Sequence, residues 1–174
     1  MRLLRIPLAG LALAGFALSL WVHISALRGI DLSRQYPQVW ALHAGVFVVF
    51  LSMVFASRRV LGRKPTLRQW RELLPRSVGL LCAAVMLYAL VNFFVGALSM
   101  QSGTPDVVDG QYVMQDHGHV VRTISAEQYE AARASELRMF SGHWMIFYFV
   151  PFAFFAFGMS ASPGFGVPLG GGRP

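Results

Sequence analysis

Charge is what this 174-residue chain has least of. Asp, Glu, Lys and Arg together make up 13% of it, where soluble domains carry about 25%. With 55% apolar residues, that scarcity excludes a disordered chain, a coiled coil and a typical soluble enzyme. Cysteine is nearly absent as well. Cys82 stands alone, so there is neither a disulfide framework nor a C-x-x-C redox pair. Lysine is reduced to Lys64 against fourteen arginines, a bias that fits a GC-rich bacterial genome and a bacterial inner membrane. No glycine-rich phosphate loop follows a strand-like run and no G-x-S-x-G elbow occurs, which removes the nucleotide-binding and serine-hydrolase classes.

The apolar residues are gathered into long runs. Residues 6–27, 39–56, 77–98 and 142–161 contain no Asp, Glu, Lys or Arg, and each is close to the ~20 helical residues that cross a bilayer core. Lipid offers backbone polar groups no partners, so such runs are expected as helices. The expected fold class is an all-α polytopic membrane protein. Its four transmembrane helices form a four-helix bundle, with a small extracytoplasmic hairpin-plus-helix module between helices 3 and 4.

The few charges orient this arrangement. Ten basic residues fall at the N-terminus, in the connection 57–76 and in the tail, accompanied by Glu72 alone. The other side has Arg28, Arg34, Arg122, Arg133 and Arg138 with the seven remaining acids. The positive-inside rule then predicts cytoplasmic N- and C-termini and an extracytoplasmic connection 99–141. Trp21, Trp40 and Trp144 near the outer ends of their helices fit an interfacial aromatic belt. The net charge of +7 thus belongs to topology and to anionic lipid headgroups rather than to nucleic acid.

Several local signals refine the picture. Thr66 with Gln69 makes a capping box, and Leu67, Trp70, Leu73 and Leu74 beside Arg68 and Arg71 suggest a short helix on the inner membrane surface. An irregular loop is the competing reading. Arg2, Arg5 and the small-x-small triplet Ala17-Leu18-Ser19 resemble a cleavable signal peptide, but the apolar run continues past Ser19, which favours an uncleaved first helix. The tail 162–174, rich in Gly and Pro, is expected to be flexible. Residues 101–109 read as a loop. Two β-prone runs, 111–115 and 119–124, flank Asp116-His117-Gly118 as a hairpin. Ser125 with Gln128 opens a helix that runs to about Phe140 and on toward the fourth span. Gly10 with Ala14 and Gly79 with Ala83, each spaced at four, suit close helix packing.

Histidine carries the only specific chemistry. All five histidines fall on the predicted outer side. His23 and His43 lie about 6 Å below the interface, at 1.5 Å per helical residue, and His143 enters the fourth helix near that level. Imidazole is a ligand for transition metals or haem iron and a partner for a quinol headgroup. Intramembrane ionisable groups are also functional candidates by default. His23, His43 and His143 are therefore the candidate cofactor-binding set, with Asn92, Tyr148 and Glu136 as candidates to orient the rings. His117 and His119, alternate residues of a strand, are a candidate metal pair. If His117-Gly118 is the turn itself, His117 leaves that face and His119 faces Asp116 across the hairpin. Two bland alternatives compete: histidine also sits comfortably at an interface beside Trp, and Asn92 also serves as interhelical glue. Pro151 implies a kink in the fourth helix.

No nucleophile, base and orienting group can be assembled. The expected function is a non-catalytic accessory or interaction protein, meeting a membrane protein partner or a second copy of itself through the outer module. The alternative is a haem-, quinol- or metal-binding redox subunit using the outer histidines.

Overall fold

The apolar runs become helices in the computed structural model, which describes residues 2–99 and 103–158. The tail 162–174 and the last residues expected of the fourth span, 159–161, lie outside the described residues. The chain forms α1 (Arg2–Leu27), α2 (Leu32–Gln35), a 3-10 turn (Pro37–Trp40), α3 (Ala41–Leu61), α4 (Leu67–Leu73) and α5 (Arg76–Ser99). Strands β1 (Thr104–Val108), β2 (Gln111–Asp116) and β3 (His119–Thr123) follow, then α6 (Ala126–Ala156). Four helices are long and apolar enough to cross a membrane: α1, α3 with its leading turn, α5 and α6.

Those four are not equivalent. The helix α6 is the hub on which α1, α5 and α3 each pack. Of its most apolar stretch 61% is buried, against 11% for α5. A ring of four similar helices is thus replaced by three helices around one. The reason lies in residue size. Along α6, Trp144, Tyr148, Phe149, Phe154 and Phe155 are buried, and small residues on the neighbours make room for them. On α1 the buried stripe is Ala12, Gly15, Ser19, Val22, His23 and Ala26, at helical spacing. A Cβ on Gly15 or Gly45 would collide with the Tyr148 ring and hydroxyl, one on Gly96 with Met139, and one on Gly142 with the Asn92 amide. The expected packing positions are corrected accordingly. Gly10, Ala14 and Ala83 are exposed, and a Cβ on Gly10 or Gly79 would meet nothing. Spacing at four marks a stripe without saying which stripe faces a neighbour.

At the arginine-rich end α4 is helical, and both arms of its capping box are made, Thr66 accepting from the Gln69 N–H at 3.3 Å and Gln69 from the Thr66 N–H at 2.8 Å. Its apolar face is only partly used by the protein. Leu73 is buried and Trp70 lies 5.9 Å from Phe154, whereas Leu67 is 89% exposed and Leu74 is already extended. Arg5 reaches across to donate to the carbonyls of Phe155 and Ala156 at 2.6 and 2.7 Å. A cation thereby satisfies carbonyls left over at the C-terminal end of α6.

At the opposite end the expected hairpin is part of a three-stranded antiparallel sheet, order β1-β2-β3, so the chain is not all-α. Residues 104–108, expected as a loop, form β1, with Pro105 opposite Met114 on an edge strand where a missing N–H is tolerated. Asp109-Gly110 links β1 to β2 with positive φ at both positions (50° and 77°), the left-handed geometry of the Asn-Gly and Asp-Gly hairpin class. His117-Gly118 does the same between β2 and β3, at 49° and 84°. A backbone bond from Ile124 to Tyr112 and the Tyr112–Tyr129 ring pair at 4.7 Å attach the sheet to α6. That helix starts at a complete Ser125–Gln128 capping box and passes Ser141-Gly142 without a break.

Candidate functional site

The candidate residues meet around one segment of α6, Arg138 to Trp144, which sends side chains or backbone groups toward all three surrounding helices. Ser141 faces α1. Its hydroxyl donates to the Leu137 carbonyl at 2.7 Å, the usual back-bond of a helical serine. Its oxygen is then the acceptor for His23 Nδ1, 2.9 Å away. That assigns the proton to Nδ1 and leaves Nε2 to accept from the Tyr88 hydroxyl of α5 at 2.6 Å. His23 is 2% exposed, and both of its nitrogens are occupied by protein groups.

Arg138 contributes its backbone. Asn92 on α5 donates to the Arg138 carbonyl at 3.0 Å, and Gly142, one turn on, leaves room for the amide. Asn92 is therefore glue between α5 and α6. The Arg138 Nε is the buried side-chain donor left without a hydrogen-bond partner among the described residues.

Trp144 faces α3. It is 1% exposed, packs edge-on against Trp40 at 5.6 Å, and donates its indole N–H to His43 Nδ1 at 3.0 Å. The neutral His43 ring then carries its proton on Nε2, which makes it a donor there rather than a ligand. This corrects the aromatic belt: Trp21 is exposed on α1 and fits one, while Trp144 is a core residue halfway along its helix. His143 points to α5, where Phe93 meets its ring edge-on at 4.8 Å. Its Nδ1 donates to the Met139 carbonyl at 2.8 Å, leaving the Nε2 lone pair without a protein partner among the described residues.

Three histidines at one depth therefore do not make one site. Each is engaged by a different neighbour, on different sides of α6. Tyr148 donates to the Leu42 carbonyl at 2.8 Å and Glu136 pairs with Arg133, so neither orients a histidine. His117 is in the turn with Gly118 and not on the strand that carries His119. His119 lies opposite Asp116 in the register as expected, but the Asp116 carboxylate meets His117, at 2.7 Å and in the open. Among the described residues no three His, Cys, Asp or Glu side chains gather as a metal site would need.

A second cluster, missed in the sequence, joins the sheet-bearing end to the helices. Asp31 caps α2, accepting from the Ser33 N–H at 2.9 Å and the Ser33 hydroxyl at 2.6 Å. Its side chain, 2% exposed, also meets Arg133 of α6 at 3.3 Å. Arg133 bonds Glu136 at 2.8 Å, and Arg34 pairs with Glu130. Asp31, Arg34 and Arg133 border a hollow of about 250 Å³ that also touches Tyr112 and Tyr129. The only sequence trace of this joint is the Asp-x-Ser capping pattern at Asp31, since its partner is a hundred residues away.

No protein-family model, curated protein or solved structure matches this chain.

Proposed function

We propose that this chain is a non-catalytic accessory protein of a bacterial inner membrane, with cytoplasmic N- and C-termini, whose extracytoplasmic sheet is a contact surface for a membrane protein partner. One observation carries the reading: α6 is both the helix of the outer module and the most buried helix of the bundle. A partner bound to the module is thereby coupled to the membrane core without a flexible linker. The edge strand β3 supports it, since every residue of β3 is exposed and Val121 is 55% exposed. Unpaired strand edges are natural docking sites for extended segments. The engagement of His23 and His43 by protein groups also fits a structural role for those rings. Arg63, Lys64, Arg68 and Arg71 around α4 would rest on anionic headgroups at about 1 kcal/mol each.

The haem, quinol or transition-metal alternative has one specific observation in its favour. His143 donates through Nδ1 to a backbone carbonyl and has no partner at Nε2 among the described residues, the usual arrangement of a ligating histidine. A photo-crosslinking residue at Val121 in native membranes separates the two. An adduct with a second protein is expected. No adduct, together with a Soret band or stoichiometric metal that is lost in His143→Ala, overturns the proposal.

A further inference from the structure

Between α1 and α3, over Tyr148 of α6, lies a groove of about 600 Å³. Tyr148 is its floor. The ring sits against Gly15 and its hydroxyl against Gly45, where side chains would collide with them, and the hydroxyl donates to the Leu42 carbonyl at 2.8 Å. The hydroxyl proton is thereby satisfied within the protein, and the wall side chains, Leu11, Leu18, Val22 and Val48 among others, are apolar. Apart from Tyr148, the lining side chains that carry polar groups are Trp21, Tyr36 and Gln38, which form the mouth at the sheet-bearing side.

The length of the groove identifies its occupant. From Trp21 to Leu11 on α1, and from Gln38 to Val48 on α3, ten residues span about 15 Å at 1.5 Å each. That is half of a hydrocarbon core about 30 Å thick. Beyond the groove lining, Leu8 and Ala9 of α1 and Met53 and Phe50 of α3 share one apolar cluster with Phe154. A groove one leaflet long, apolar inside and amphipathic at its mouth, has the character of a small-molecule site. A transmembrane helix of a second copy would need the full thickness. We infer that the α1–α3 groove is a resident lipid site holding one acyl chain of a phospholipid from the leaflet on the sheet-bearing side, with the headgroup at Trp21, Tyr36 and Gln38. This rests on the four helices crossing the membrane and is independent of what the outer module contacts.

The test is photolabelling in nanodiscs made with phosphatidylethanolamine that carries a diazirine halfway along one chain, mapped by peptide mass spectrometry. Leu11, Leu18 and Val48 are expected to be labelled about tenfold more than Leu80, Leu87 and Phe94 on the exposed face of α5, the ratio of a preference near 1.4 kcal/mol. Leu18→Trp with Val48→Trp fills the groove and leaves Tyr148 unsubstituted, and is expected to erase that excess, read at Leu11, while α5 labelling persists. Equal labelling of groove and α5 overturns the inference. So does an excess that survives the double variant, a stoichiometric isoprenoid quinone in the organic extract, or a second copy crosslinked through the groove. Absence of label on α5 as well would instead defeat the membrane-spanning reading.

Discussion

His23 shows how much a single side chain holds together. It takes a proton acceptor from α6, a hydroxyl donor from α5, and a buried place on α1. Leaving a buried polar group unpaired costs about 1–3 kcal/mol. His23→Phe should therefore lower the thermal unfolding midpoint in detergent, and Tyr88→Phe should lower it less, because only Nε2 is then left unpaired. Neither variant should alter an absorption spectrum. A spectral change in His23→Phe would count for the cofactor alternative. Arg133 is the second such residue. It faces the buried Asp31 carboxylate, and breaking a buried pair from one side costs about 3–5 kcal/mol. Arg133→Met should destabilise the protein by up to that amount, read from the same melting curve, and Asp31→Asn with Arg133→Met should recover part of it.

Among the elements, α6 matters most, because a continuous helix fixes rotation as well as distance. One alanine inserted between Phe140 and Ser141 would turn everything beyond it by about 100° and advance it 1.5 Å. The Asp31–Arg133 joint and the Trp144–His43 bond then cannot both form. The insertion should cost about as much stability as losing one of them, and Arg133→Met added to it should cost much less than in the parent, a non-additivity expected of coupled groups. Additive losses would show that the module and the helices are not rigidly coupled. The strands tell a different story. Asp109-Gly110 carries the strongest short hairpin signal known for sequences, yet Pro105 and the polar residues around it made 101–109 read as a loop. An edge strand tolerates the proline that a central strand would reject, and β1 is an edge.

For the molecule as a whole, the proposed orientation rests on the arginines, and the proposed location of the sheet rests on that orientation. Reporter fusions after Arg63 and after Asp116 should report cytoplasm and exterior respectively, and the reverse pattern would invert both the contact surface and the lipid leaflet proposed for the groove. The polar clusters fit this arrangement. Arg5 and α4 lie at the end that would face the cytoplasm, and Asp31, Arg34, Glu130 and Arg133 lie at the other.

Run length and short local motifs alone determined the four apolar helices, both capping boxes, the β2–β3 hairpin and the place of each histidine along its own element. All of these are local: a helix needs only its own backbone bonds and a hydrophobic run, a cap needs only the next three residues, and depth is a count along one helix. Which faces meet is not local. The choice of α6 as hub, the seating of Tyr148 between Gly15 and Gly45, and the assignment of His23 to Ser141 rather than to His43 depend on helix rotation about parallel axes. In lipid, apolar residues lie on every face of a span, so hydrophobic patterning does not select one. Size complementarity and a few hydrogen bonds settle it instead, between residues up to 151 positions apart, and only the tertiary structure brings those together.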